Sequence, residues 1–445
     1  MKKILVLAMI LVLMMSVAAA GQDVRKMETA ADADEWISVF LGDEPETLDG
    51  AWAMTDQMSA QMDMFGGMKG MAAMLAQLGS IAEIGSAYEG ELQGYKVFYI
   101  PCVFSVSSVN LILATQDGAI AGLSTGVYSP KQEEEPADHE DFDTAELALP
   151  VPGLGELPGT LTLPKGDGPF PAVVLVHGSG PNDRDETIAA LKPFRDLAEG
   201  LAARGIAVYR YDKRTYVYGS QMAADHSITL VDETIEDAVN AVQLLAGQEK
   251  IDPARIYVLG HSLGGNAIPA IAGELELAPV QACGYIMMAA SPRSLEELMR
   301  EQYDFLYSLM PEVTQEQLAE KDQILAELDK LQDLDALSDD EAVLGVYPPY
   351  WRWLAQYDIM EAAAKIARPC LLLQGEEDYQ VTMEDYEMWK AALGEKENWQ
   401  MISYPGLTHP FTPGEKTEGA AAYSRAEKVD EQVIEDIAGF INTIS

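Results

Sequence analysis

Apolar and polar positions along this chain follow two regimes. Between Asp34 and Ser86 apolar residues recur near helical intervals, among them Met54, Met58, Met62, Met64, Met68, Met71 and Met74. Three alternating stretches follow, Tyr95–Pro101, Val106–Gln116 and Ile120–Gly126. Each has the period of two expected of a strand with one buried face. Helices followed by a curved antiparallel sheet predict a small α+β module. The next stretch, from Lys131 to Asp141, is acidic, contains proline and nearly lacks apolar residues, which predicts a linker. The expected organisation is therefore an accessory module over 21–130, a linker over 131–142 and a larger domain over 143–445.

In that larger domain the strands read as continuous apolar runs, the mark of a sheet covered on both faces. An opening hairpin is expected at Ala145–Pro150 and Thr160–Pro164. Parallel strands are expected at Ala172–His177, Ile206–Tyr211, Ile256–Gly260, Gly284–Ala289, Cys370–Gly375 and Gln400–Tyr404. Amphipathic helices separate them, notably Pro193–Arg204, Thr234–Ala246 and Lys428–Ile444. The alternation predicts an α/β fold with a doubly wound, mostly parallel sheet. An oversized insertion, about Pro292 to Arg368, starts at the carboxyl end of a strand and is expected to form a helical lid. It ends in an aromatic cluster, Tyr347, Tyr350, Trp351 and Trp353, which either lines a pocket or pins the lid to the sheet.

The candidate chemistry centres on Arg255-Ile256-Tyr257-Val258-Leu259 running into Gly260-His261-Ser262-Leu263-Gly264-Gly265. A strand, a sharp turn and a helix place a serine at the apex. Gly260 and Gly264 leave room for a turn too tight for side chains. A serine hydroxyl needs a neighbouring base, usually histidine, oriented by a carboxylate. The five histidines are His139, His177, His226, His261 and His409, and only His409 follows the serine, as serine–acid–histidine order requires. Asp378, in the loop after the apolar run Cys370–Gly375, is the expected acid, with Glu376 and Glu377 as competitors.

A fourth part is Val173-Val174-Leu175-Val176-His177-Gly178-Ser179-Gly180, a strand ending in a turn whose amides can meet an oxyanion. The backbone amides of Ser179 and Leu263 are the expected donors. His177 precedes the serine and is read as packing or loop support. Asp183, Arg184 and Asp185 are read as knitting that loop by ion pairs rather than orienting a substrate.

Four ordered motifs resemble those of the α/β-hydrolases over about Asp143 to Ser445. They are His177-Gly178-Ser179-Gly180-Pro181-Asn182-Asp183-Arg184-Asp185, Gly260-His261-Ser262-Leu263-Gly264-Gly265, Gln374-Gly375-Glu376-Glu377-Asp378 and His409, with Tyr211-Asp212-Lys213-Arg214 between the first two. The chain is most similar to the bacterial esterase branch near the dienelactone-hydrolase and prolyl-oligopeptidase-type catalytic domains. The resemblance implies ester or thioester cleavage through an acyl-serine, with no metal or organic cofactor. The amino-terminal module resembles the small domain that often precedes secreted hydrolases of this branch. A prolyl-oligopeptidase-type peptidase would carry propeller repeats, which are absent before Pro130. An acyltransferase resembling the bile-acid conjugating enzymes would carry cysteine at the elbow, where this chain has Ser262. A non-catalytic binding protein on the same scaffold would have lost a member of the triad.

Composition narrows the setting. Lys2 and Lys3, the apolar run Ile4–Val17 and Ala18-Ala19-Ala20 read as a secretory signal over residues 1–20, favoured over an uncleaved anchor because the run is short for a span, so a secreted or extracytoplasmic protein is expected. No second membrane segment is seen. The net charge of −43 disfavours nucleic acid and anionic membranes as partners and leaves a small-molecule ester as the expected one. Three cysteines, Cys102, Cys283 and Cys370, make no obvious disulfide framework; Cys283 and Cys370 begin neighbouring strands where export would permit a bridge, and free thiols are the favoured reading. The methionine run lacks nearby histidine or cysteine and is read as core packing, ahead of a substrate- or partner-facing surface and of a metal site.

Overall fold

The computed structural model describes residues 24–443 apart from 43, 79–80, 93–94, 105–107, 128–138 and 311–312. The expected signal segment and most of the expected linker lie outside the described residues. The chain divides into two compact units, residues 1–134 and 135–445.

In the first unit, α1 (Ala30–Phe40) starts at a capping box between Thr29 and Asp32 and buries Ala33, Trp36, Ile37 and Phe40, positions that share one helical face. Thr29 and Asp32 together satisfy amides that the first helical turn leaves without partners. Helix α2 (Asp56–Phe65) is capped by Thr55 and turns at Gly66, in the left-handed region at φ 83°, into α3 (Gly67–Met74). Met58, Met68 and Met71 are buried in this unit's core, whereas Met64 and Met74 are exposed. The methionine run thus serves mainly as packing. Five strands follow: β1 (Ile81–Ile84), β2 (Tyr88–Leu92), β3 (Tyr95–Phe104), β4 (Ser108–Gln116) and β5 (Ala119–Val127). All pair antiparallel, and β1 and β2 both pair with β3. The helical reading up to Ser86 therefore ran too far. The ten-residue β3 outlasts any single short partner, and its ladder recruits β1 and β2 from residues with little period of their own.

The second unit opens with β6 (Phe142–Glu146), a small antiparallel ladder of β7 (Leu149–Val151) and β8 (Gly155–Leu157), and β9 (Gly159–Pro164). Then come β10 (Phe170–Val176), α4 (Pro193–Ala202), β11 (Ala207–Tyr211), α5 (Arg214–Val217), α6 (Gly219–Ala223), α7 (Glu236–Ala246), β12 (Ile251–His261) and α8 (Leu263–Leu275). The chain continues through β13 (Gly284–Met288), α9 (Leu295–Ser308), α10 (Gln315–Asp329), α11 (Pro348–Gln356), α12 (Ile359–Lys365), β14 (Cys370–Gly375), α13 (Met383–Leu393), β15 (Trp399–Tyr404) and α14 (Glu431–Thr443). The sheet has eight strands in the order β15-β14-β13-β12-β10-β11-β9-β6. From β11 to β15 the pairs are parallel, while β9 and β6 add an antiparallel edge. Alternate side chains of β10 enter two cores. Val174 and Val176 join Ile256, Val258 and the α7–α8 side, while Val173 and Leu175 join Tyr257, Leu259, α4 and α14.

Strand β10 is followed by β11 on one side and by β12 on the other, so the winding reverses between β10 and β12. Open parallel sheets gather ligands at such a reversal, beyond the carboxyl ends of the strands. Here Val176 pairs with Gly260, which sets the loop after β10 beside the turn after β12. Across the sheet Gly375 pairs with Tyr404, bringing the loops after β14 and β15 together.

Between β13 and β14, helices α9 to α12 form the expected helical insertion. Capping boxes at Ser294–Glu297 and Thr314–Gln317 start its first two helices. It carries a small core of its own around Leu328, Leu331, Val343 and Trp351, while Tyr350 and Trp353 pack against the core of the sheet. Cys102, Cys283 and Cys370 are free.

Gly264 lies so close to the end of β10 that a Cβ there would sit 2.2 Å from the Val176 carbonyl oxygen, and one at Gly260 would sit 2.2 Å from the Gly264 oxygen. Both contacts are to backbone, which cannot rotate aside. We expect Gly264→Ala to lower the stability of the protein by at least about 1–3 kcal/mol, the usual cost of overpacking. Urea unfolding measures it, and wild-type stability in this variant would refute the close packing of α8 on β10.

Candidate active site

Ser262 sits between β12 and α8 at φ 55° and ψ −120°, a backbone that a non-glycine residue adopts only at a cost. Its own N–H donates to the Met288 carbonyl at 2.9 Å, so the neighbouring strand β13 holds the turn in place. The side chain is half-buried. A Cβ built on Gly178 would come within 3.2 Å of the Ser262 Cβ, so the loop after β10 lies directly against the serine. Leu263 begins α8, where first-turn amides have no carbonyl of their own helix to meet.

Asp378 and His409 meet as a pair. His409 Nδ1 donates to Asp378 Oδ2 at 2.6 Å, and both side chains are buried. The other carboxylate oxygen, Oδ1, accepts the amides of Gln380 and Val381 at 2.7 and 3.0 Å, and Gln374 Nε2 donates to Oδ2 at 3.2 Å. Four donors thus fix the carboxylate and, through it, the tautomer of the imidazole. The two competitors are engaged elsewhere. Glu376 accepts from the Ser403 hydroxyl, and Glu377 from the Lys416 amide. The His409 ring lies 4.7 Å, centroid to centroid, from His261, the residue preceding Ser262.

The loop after β10 is held from several sides. Arg184 pairs with both carboxylate oxygens of Asp212 and with Glu146, Asp183 accepts from Thr187, and Asp185 pairs with buried Arg210 and with Lys192. These three charged residues knit the loop, as read from the sequence. His177 is buried between Phe194 and Tyr211, and burial pushes its pKa down to about 4. It is a neutral packing group.

Sequence reasoning missed the next residue, Glu186. It is buried, takes a left-handed φ of 51°, and accepts the Gly178 amide through Oε1 at 2.6 Å. Its Oε2 lies 2.9 Å from His261 Nδ1, an ion contact off the angle of a hydrogen bond. His261 Nε2 in turn donates to the His409 carbonyl at 3.0 Å. One buried pair therefore ties together the loop after β10, the serine turn and the histidine loop. Burial alone would raise the Glu186 carboxyl, but the His261 imidazolium beside it holds it below its ordinary value. Burial alone would lower His261, and Glu186 more than offsets this and raises it. No sequence signal separates Glu186 from its solvated acidic neighbours, since only burial distinguishes it.

Two cavities open at this end of the sheet and meet at Leu263 and Leu295. The larger, about 390 Å³, is mainly apolar and lined by Ser179, Leu263, Met222, Val346, Tyr347 and Tyr350. The second, about 320 Å³, lies between α8 and the insertion, against Asn266, Ser291, Trp351 and Tyr357. The insertion thus roofs the ground beside Ser262. Its aromatic cluster divides the two expected roles: Tyr347 and Tyr350 line the larger cavity, while Trp353 fixes the insertion to the sheet. Among the described residues no cluster of histidine, cysteine and carboxylate side chains is arranged to hold a metal, and no helix is long and apolar enough to cross a membrane.

Residues 169–416 match the family model described as "Serine aminopeptidase, S33". Esterase EstD of Thermotoga maritima is 36% identical over 389 residues, covering 86% of this chain and 89% of that protein. That match is longer than the second unit, so it extends into the first. Among solved structures, Est1E from Butyrivibrio proteoclasticus is similar at 19% identity and a TM-score of 0.41, over 66% of this chain and 99% of that one. An esterase of Pyrococcus furiosus is similar at 15% identity and a TM-score of 0.43, over 68% of this chain and 91% of that one. Family membership rests on the family model and the Thermotoga relative.

The Glu186–His261 pair makes stability depend on pH in a defined direction. Because the folded His261 value is raised, its contribution is complete below the unfolded value of about 6.5 and fades as pH rises through the folded one. The depressed Glu186 contributes above its unfolded value of about 4.3 and fades as pH falls through its folded one. We expect urea unfolding of the wild type to show stability declining from neutral to alkaline pH, and Glu186→Gln to flatten that decline. Equal slopes in both proteins would show that the pair is not ionised.

Proposed function

The chain belongs to the serine aminopeptidase S33 family of α/β-hydrolases and is a carboxylesterase-type enzyme, and on that footing we propose that Ser262, His409 and Asp378 act as its catalytic triad. The observation that carries the reading is the buried 2.6 Å bond from His409 Nδ1 to Asp378, in a site whose serine occupies a strained strand-to-helix turn. In this reading the Ser262 oxygen attacks the ester carbonyl carbon as His409 Nε2 takes the hydroxyl proton. Asp378 holds the resulting imidazolium through Nδ1 and remains ionised throughout. The carbonyl oxygen becomes an oxyanion, which the amides of Ser179 and Leu263 stabilise. Collapse of that tetrahedral species breaks the bond to the alcohol oxygen, which leaves with the proton from His409. Water, deprotonated by His409, then attacks the acyl-serine; the bond to the Ser262 oxygen breaks as His409 returns that proton to it, and the carboxylic acid is released.

The larger cavity suits an apolar acyl group, since its wall is mainly apolar and contains the Ser179 and Leu263 positions. The family description favours one rival, peptide hydrolysis at a free amino terminus. Such an enzyme needs an unengaged carboxylate to receive the ammonium. The carboxylate of Glu233, which lines the cavity, is already bonded to Lys213 and Tyr350, and the 36% identical Thermotoga relative is an esterase. Together these support esters over aminopeptides.

Hydrolysis of p-nitrophenyl esters from acetate to palmitate tests the proposal. Ser262→Ala and His409→Ala are expected to lower kcat by about 10⁶, and Asp378→Asn by about 10⁴, with melting temperatures near that of the wild type. Unchanged turnover in Ser262→Ala would end the acyl-serine reading. Faster cleavage of aminoacyl p-nitroanilides than of any ester would favour the peptidase. The best chain length among the esters reports the size of the acyl cavity.

A further inference from the structure

The carbonyl of Gly178 and the amide of Ser179 belong to one peptide unit, so whatever binds the carbonyl acts on the proposed oxyanion donor. The group that binds it is Lys213. Its Nζ donates to Gly178 O at 2.8 Å, and Asn182 Nδ2 adds a longer bond at 3.2 Å. Lys213 follows β11 by two residues, its backbone N–H donates to the Asn182 carbonyl, and its side chain is almost completely buried. Glu233 neutralises the ammonium at 2.6 Å through Oε1, and the Glu233 Oε2 accepts the Tyr350 hydroxyl of α11 at 2.6 Å. Ser179, Glu233 and Tyr350 all line the larger cavity.

We infer that Lys213 is a positioning residue of the oxyanion hole: its buried ammonium, braced by Glu233 and Tyr350, polarises and aims the peptide that presents the Ser179 amide. The inference rests on the acyl-serine reading above. Stability alone is a poor account of the pair, because a buried ion pair gains little over apolar side chains of similar volume. Its placement on this one carbonyl serves another end. An ammonium at the oxygen draws electron density from the peptide nitrogen and makes its N–H a stronger donor. Hydrogen bonds coupled in this way strengthen one another by roughly 10–30% each. Glu186 restrains the same segment from its other end, through the Gly178 amide.

Lys213→Met alone leaves Glu233 as an uncompensated buried charge and risks unfolding, so the Lys213→Met/Glu233→Gln double variant carries the test, with Lys213→Arg as the conservative replacement. A fluorophosphonate first counts the serines that react in each protein, and kcat on p-nitrophenyl butyrate is expressed per reactive site. Loss of a whole oxyanion donor costs about 10²–10³, so a weakened donor should lower kcat by about 10–30-fold with KM moved less than about twofold. Inhibition by a trifluoromethyl ketone, which forms the oxyanion adduct, should weaken by the same factor, and Lys213→Arg should recover most of the loss. Normal kcat per site in the double variant, whatever its melting temperature, would overturn the inference and leave the triad intact. Absence of labelling at Ser262, or full activity in Ser262→Ala, would overturn the acyl-serine reading, and the role of Lys213 with it.

Discussion

The parallel pairing of β10 with β12 is the constraint on which the candidate site depends. Register sets Val176 against Gly260, and the absence of a side chain at Gly264 lets α8 start flush against the Val176 carbonyl. Those contacts bring Gly178 against Ser262 and present the first amides of α8 on the same side as the loop after β10. A slip of one residue would exchange the two faces of β10, sending Val174 and Val176 into the core meant for Val173 and Leu175. The core on both faces therefore enforces the geometry of the site. Pairing of β14 with β15 does the same for Asp378 and His409.

Around this frame the protein buries several charges. Glu186 with His261, Lys213 with Glu233 and Asp185 with Arg210 sit almost without solvent beneath the loop after β10. Desolvating such groups costs several kcal/mol per ion in general, and pairing recovers it only when the geometry is good. What these pairs supply is direction. Each joins a loop to an element distant in sequence, and two of them grip the peptide groups of Gly178 from opposite ends. A glycine-containing turn is thereby held rigid, the condition that the proposed oxyanion donor would need, because donors already in place need no reorganisation during reaction.

The insertion between β13 and β14 covers this end of the sheet. Its own small core makes it a coherent roof, and Tyr350 ties it to Glu233 beneath. A mainly apolar cavity then forms beside Ser179 and Leu263. The amino-terminal unit contributes a separate core of helices on an antiparallel sheet.

Much of this was legible from residue order alone. Apolar runs bounded by turns located the six parallel strands within a few residues, since a sheet buried on both faces leaves no other pattern. Glycines flanking Ser262 marked a turn that tolerates no side chains, and the only histidine after that serine left one candidate base. Position after an apolar strand made Asp378 the expected acid, but against two adjacent competitors. Asp378, Glu376 and Glu377 are adjacent in sequence, and only the fold of their loop turns Asp378 toward His409 while sending the other two elsewhere. Strands β1 and β2 were hidden because pairing with β3, rather than local period, makes them strands. The buried pairing of Glu186 with His261 and of Lys213 with Glu233 was hidden for a related reason: an ionisable side chain looks the same in a sequence whether water or a buried partner meets it. Local patterns of apolarity and glycine set the strands and the turn that carries Ser262. Burial and pairing across the sheet, which no local pattern encodes, decided which charges hold the site together.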